Sequence, residues 1–217
     1  MDQMTCIETV AVVAEAVASI LALGLSAVAI QQTRAQIELS NKQSLFDRRL
    51  AIYSMASKLT HYYETYRALR KEVSASDKSY AADFLVLAPD ELFRDAAECI
   101  SFPGTSSSLQ TLYSGVEALG RTAQEARFVF SSGLGERVSR FVDGYASLLI
   151  VMHRYEQNVV SIASPIPDDA SAPTREERTN HIDEDAVEKV YRRLDSSYVA
   201  MVDEGILDKV AEEIRLC

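Results

Sequence analysis

The stretch from Val10 to Ile30 constrains this chain more than any other part of its sequence. Ten of its twenty-one residues are Val, Ile or Leu, seven are Ala, and Glu15 is its one charged residue. As a helix it would be about 31 Å long, which matches a bilayer hydrocarbon core of about 30 Å. We therefore predict a transmembrane anchor within residues 1–30. The alternative is a buried, Ala-rich core helix of a helical bundle.

The charges that flank this stretch predict its orientation. Asp2 and Glu8 stand where a signal peptide carries basic residues, which disfavours a cleaved leader. Four basic residues follow the stretch, whereas none precedes it: Arg34, Lys42, Arg48 and Arg49. The positive-inside rule then places the N-terminus outside and the rest of the chain in the cytoplasm, as a single-pass protein. Three cysteines far apart in sequence agree with a reducing compartment.

Small residues share one face of the predicted anchor with Glu15. Ala18, Ala22 and Ser26 follow it at helical steps of three and four. Small faces allow transmembrane helices to approach closely, and an ionisable residue there favours a neighbouring helix or a water-filled lumen. We predict that these four residues form a helix interface or line a pore in a homo-oligomer. In the alternative, Glu15 simply lies near the outer headgroups.

Residues 31–73 are predicted to continue as one long juxtamembrane helix, because they contain neither Gly nor Pro. Leu45, Ile52, Leu59 and Tyr66 recur at intervals of seven, as in a coiled coil. This stripe would pair two copies of the chain, or it would pack against the protein's own later helices.

Charge is distributed unevenly along the chain. Residues 31–73 carry a net charge of +4, although the whole chain carries −10. Basic side chains just inside a membrane are attracted to anionic lipid headgroups. Arg34, Lys42, Arg48 and Arg49 are therefore predicted to form a lipid-facing basic collar. The acidic remainder argues against a nucleic-acid partner.

Residues 74–217 are predicted to form a cytoplasmic, antiparallel helical bundle, so the fold class is all-α. Turn and capping signals predict helices from Pro89 to before Phe102, from Ser106 to Phe130, from Glu136 to Val160 and from Asp183 to Asp203. Gly205 separates the last of these from a short terminal helix. The Pro-rich stretch 163–180 is predicted to be an exposed loop.

Two short motifs carry a resemblance to a known group of proteins. They are FDRRLAIY, from Phe46 to Tyr53, and EARFVF, from Glu125 to Phe130. With the N-terminal hydrophobic helix, they resemble an uncharacterised family of small bacterial membrane-anchored helical proteins. The resemblance implies a bacterial inner-membrane protein and no particular chemistry. We expect the motif residues to be structural, with Arg127 pairing with Asp47 or Glu125.

The sequence offers little catalytic chemistry. It contains no common zinc, nucleotide or hydrolase motif, so no metal or cofactor is expected. Arg175 and His181 are separated by five residues. This spacing is similar to the Arg-x(4–6)-His motif of HEPN-family ribonucleases, in which the pair acts on the RNA phosphate and ribose.

These features together predict a non-enzymatic, membrane-anchored helical protein that self-associates and presents its bundle to a cytoplasmic protein partner. A sharper hypothesis is a membrane-perturbing or pore-forming effector of bacterial defence, such as antiviral defence, or of the stress response. The alternative is a membrane-tethered HEPN-like ribonuclease that uses Arg175 and His181.

Overall fold

A computed structural model of the chain describes residues 2–72, 80–88, 106–163 and 184–215. These ranges are helical except for a few turn and terminal residues, which confirms the all-α class. The helices are α1 (Asp2–Glu72), α2 (Tyr80–Leu87), α3 (Ser106–Val129), α4 (Ser132–Ala163), α5 (Glu184–Asp203) and α6 (Ile206–Arg215). The helix predicted to begin at Pro89 lies outside the described residues, as does the predicted loop beyond Ala163.

The chain separates into two compact units, Met1–Asp47 and Arg48–Cys217. The boundary falls inside α1, so the described part of the first unit is helix alone. Residues 48–72 of α1 belong to the second unit, together with the later helices.

Helix α4 lies at the centre of the second unit, in contact with α2, α3, α5 and α6. Its buried side chains follow one another at steps of three and four, which places them on one stripe of the helix. The largest of them are Phe141, Tyr145, Leu148, Leu149 and Met152.

The C-terminal part of α1 contributes a second apolar stripe to the same core. Ile52, Leu59 and Tyr66 are almost fully buried, and they belong to one cluster with the α4 side chains. The last three positions of the seven-residue repeat are therefore used inside the second unit, whereas Leu45 belongs to the first. This arrangement agrees with the alternative in which the stripe packs against the protein's own later helices.

Two glycines are required by the backbone. Gly205 follows α5 with a φ of 58°, in the left-handed region that favours glycine, and it separates α5 from α6 as predicted. Gly135 lies in the first turn of α4 so close to α3 that a Cβ would collide with the carbonyl oxygen of Ala126. A turn of only Phe130 and Ser131 joins α3 to α4 there.

Candidate functional site

The first unit exposes large apolar side chains along a continuous helix. Leu21, Leu23 and Leu25 are 62%, 72% and 72% exposed, and Ile20, Val28 and Ile30 are exposed as well. At 100° per residue, these positions extend over most of the helix circumference. Water is an unfavourable environment for such a surface. Among the residues whose side chains the structure describes, no helix is both long and apolar enough to cross a bilayer.

The face predicted to carry an interface lies on this helix. Glu15, Ala22 and Ser26 are exposed, whereas the side chain of Ala18 lies outside the described residues. The hydroxyl of Ser26 donates to the carbonyl oxygen of Ala22 at 2.8 Å, and that of Ser19 donates to the carbonyl of Glu15 at 2.8 Å. These hydroxyl protons are satisfied within the helix itself.

The four residues of the predicted basic collar have different surroundings. Arg34, Lys42 and Arg48 are exposed, and Lys42 pairs with Glu38 one turn away at 3.3 Å. The side chain of Arg49 is only 14% exposed and pairs with Glu213 at 3.1 Å. Arg49 is therefore committed to a contact within the second unit, unlike the other three.

Arg49 joins three parts of the second unit. Its Nε donates to the carbonyl oxygen of Val129 at 2.7 Å, and its Nη1 donates to the carbonyl oxygen of Glu213 at 3.1 Å. Both carbonyls lie in the last turns of helices, α3 and α6, where backbone acceptors lack intrahelical partners and the helix dipole is negative. The guanidinium also lies 5.7 Å from the ring centre of Phe130. One side chain thus caps two helices.

This Arg49 contact also brings the two sequence motifs together. Arg49 belongs to FDRRLAIY, and Val129 and Phe130 belong to EARFVF. Glu213 strengthens the junction, because its carboxylate accepts hydrogen bonds from the backbone N–H and the hydroxyl of Ser131, both at 3.1 Å. The contact agrees with the structural role expected for the motifs. The partner expected for Arg127 was wrong, since its guanidinium pairs with Glu136 and Asp143.

A second arginine, Arg70, lies near the end of α1 and is 9% exposed. Its guanidinium carbon lies 3.7 Å from the ring centre of Tyr191, which is a cation–π contact, and its Nη2 pairs with Glu188. Its Nη1 donates to the Tyr66 hydroxyl at 2.8 Å, and that hydroxyl lies 3.3 Å from the carboxylate of Asp83. A chain of polar contacts therefore connects α5 through α1 to α2.

Two further residues of α1 repeat this arrangement one turn earlier. Tyr63 donates to Asp195 at 3.3 Å, and Arg67 pairs with the same carboxylate at 2.8 Å. Burial, together with Tyr191 and Asp195, raises the pKa of the Tyr63 phenol, and burial with Asp83 raises the pKa of Tyr66. Both phenols stay protonated near neutral pH. They act as hydrogen-bonding groups of the core and not as bases or nucleophiles.

His153, on α4, is 3% exposed, and neither ring nitrogen has a hydrogen-bond partner among the described residues. Burial lowers its pKa. The neutral imidazole is therefore the form that the fold accommodates.

The residues proposed for ribonuclease chemistry, Arg175 and His181, lie outside the described residues. Within the described ranges, no three His, Cys, Asp or Glu side chains form a group that could hold a metal ion. Sequence reasoning missed the contacts of Arg49 with Val129 and of Arg70 with Glu188, because these partners lie 80 and 118 residues away along the chain. The sequence signal for a structural role was that both arginines lie beside the apolar stripe of α1.

Comparison with known proteins adds no family assignment. The chain matches no family model, no curated protein and no solved structure. The resemblance carried by FDRRLAIY and EARFVF stays a prediction.

Proposed function

We propose that this chain is a membrane-anchored, self-associating helical protein without catalytic activity of its own. Residues 10–30 cross the bacterial inner membrane once, with the N-terminus outside and the helical bundle in the cytoplasm. The observation that carries the proposal is the exposed apolar surface around residues 19–30. Burying one such side chain contributes at least about 1.5 kcal/mol, so six of them in water forfeit about 9 kcal/mol.

Two properties of this helix favour lipid as its environment. The hydroxyl protons of Ser19, Ser26 and Thr33 are all donated to carbonyls four residues earlier, so none needs water. The next part of the helix carries the exposed basic residues Arg34 and Lys42, which suit anionic headgroups.

A charge placed in the anchor tests this proposal. We expect Leu21→Arg to lower the share of the protein in the alkali-resistant membrane fraction, because Arg at the centre of an inserting helix costs about 2.5–3.5 kcal/mol. Leu39→Arg is the matched control, since Leu39 is equally exposed on α1 but lies outside the anchor. Wild-type protein that is released by alkaline extraction would remove the anchor from consideration.

Self-association uses the small face that contains Glu15, Ala22 and Ser26. A carboxylate on this face is better accommodated against another copy or in a water-filled lumen than against lipid. This placement supports an effector of bacterial defence or stress whose assembled helices perturb the membrane. The exposed part of the second unit remains free to bind a cytoplasmic protein.

Dye release from anionic lipid vesicles tests the membrane-perturbing role. We expect the wild-type protein to release dye, Glu15→Gln to release less, and Glu38→Gln, a matched exposed carboxylate outside the anchor, to behave as wild type. If wild type and Glu15→Gln are equally inert in vesicles that retain the protein, the pore is rejected and the anchor is kept.

A further inference from the structure

A charged cleft of about 270 Å³ lies in the second unit, between the end of α3, the first half of α4 and α5. Gly144 lies on its wall, where α4 approaches α5 closely enough that a Cβ would be 3.3 Å from Leu194. The absence of a side chain at this position allows the two helices to approach closely beside the cleft. The volume is near the lower end of the range for small-molecule sites.

Both acidic side chains on the α4 wall of the cleft already have cationic partners. Arg127 pairs with Glu136 at 3.3 Å and with Asp143 at 3.4 Å. The Nε of Arg140 pairs with the other carboxylate oxygen of Glu136, Oε1, at 3.0 Å. The two carboxylates are therefore neutralised by two guanidinium groups.

Arg193 adds a third guanidinium from the α5 side. Its side chain makes no hydrogen bond or ion pair with any described residue. Arg193 has no ion pair within α5 because none of the residues three and four positions away is acidic. These residues are Lys189, Val190, Ser196 and Ser197. The acidic residues that face other parts of the unit, Glu188 and Asp195, pair with Arg70 and Arg67.

The cleft therefore holds three positive groups against two negative ones, in a chain whose net charge is −10. A guanidinium with no partner among the described residues is an available two-pronged donor, and its fork geometry matches the oxygens of a phosphate. We propose that this cleft binds the phosphate group of a small soluble molecule, with Arg193 as the main ligand. The site is independent of the membrane anchor.

The test is the thermal midpoint of the full-length protein in detergent, measured against increasing inorganic phosphate. Sodium chloride at equal ionic strength is the salt control. We expect a saturating rise of the midpoint with phosphate and a smaller, non-saturating change with chloride. Equal responses to the two salts would overturn the proposal.

Three variants locate the response. Arg193→Gln removes the proposed ligand and should raise the apparent dissociation constant at least tenfold. Ser147→Phe fills the cleft without changing its charge and should abolish the response. Arg121→Gln, an exposed arginine of α3 paired with Glu117, should respond as wild type.

Arg193 and Ser147 are both exposed, so neither substitution is expected to prevent folding. Retention of the phosphate response in either variant would overturn the site. A loss that also appears in Arg121→Gln would show that general charge, and not this cleft, attracts the anion.

Discussion

Replacement of Arg49 is the most direct test of how the second unit is held together. Arg49→Met keeps much of the apolar side chain but removes all the hydrogen-bond donors. Its two bonds to helix-terminal carbonyls contribute at least about 1.5 kcal/mol each, because the donor is charged. The partly buried ion pair with Glu213 adds about 1 kcal/mol. We therefore expect the free energy of unfolding to fall by about 4 kcal/mol.

The measurement is chemical denaturation of the full-length chain, followed by near-ultraviolet circular dichroism. The chain contains no Trp, so this signal comes mainly from its ten tyrosines, several of which are buried in the second unit. Arg48→Met is the matched control, since Arg48 is the exposed neighbour, and it should change the free energy by less than about 0.5 kcal/mol.

A double-mutant cycle with Glu213→Gln isolates the ion pair. The two substitutions should couple by about 1 kcal/mol, because they remove opposite ends of one interaction. Arg49→Lys restores the charge but not the fork, so it should recover only part of the loss. Equal stabilities of Arg49→Met and Arg48→Met would refute the reasoning that one guanidinium caps two helices.

Three further predictions concern single positions in the second unit. Gly135→Ala should destabilise the protein by about 1–3 kcal/mol, since the backbones of α3 and α4 must separate to admit the methyl group. Gly133→Ala is its control and should be neutral or stabilising, because a Cβ at this position has no atom within 4 Å. Equal effects of the two substitutions on the denaturation midpoint would contradict this prediction. Gly205→Ala should cost about 1 kcal/mol in the same assay, because of its left-handed conformation. Because burial lowers the pKa of His153 from its ordinary 6.5, the unfolded chain binds that proton first as the pH falls. Stability should therefore decline below about pH 6.5, and His153→Leu should reduce that decline; an unchanged pH profile would contradict it.

Local sequence patterns predicted the helices well, because capping residues and apolar periodicity act over a few residues. The helix predicted from Ser106 to Phe130 is α3, which ends at Val129, and the helix predicted from Asp183 to Asp203 is α5, which begins at Glu184. Helix α4 begins at Ser132, four residues before the predicted start, because its first turn accommodates glycines at positions 133 and 135.

The polar contacts could not be predicted in the same way, because they join residues that are distant in sequence. Arg49 was assigned to a lipid-facing collar from its position after the apolar stretch, and its contacts with Val129 and Glu213 depend on how three helices pack. The short helix α2 was missed altogether. Its four apolar residues from Phe84 to Leu87 form too short a run to distinguish a helix from a strand.

The contact between Arg49 and Glu213 also has a consequence for how the protein is made. The two residues are separated by 164 positions, so the ribosome synthesises Glu213 long after Arg49 has emerged. At about 5–20 residues per second, the interval is roughly 8–33 s. During that time the apolar N-terminal helix is already outside the ribosome, while α1 lacks the partner that ties it to α6. The second unit can therefore complete its fold only after nearly the whole chain has been synthesised, many seconds after its first residues.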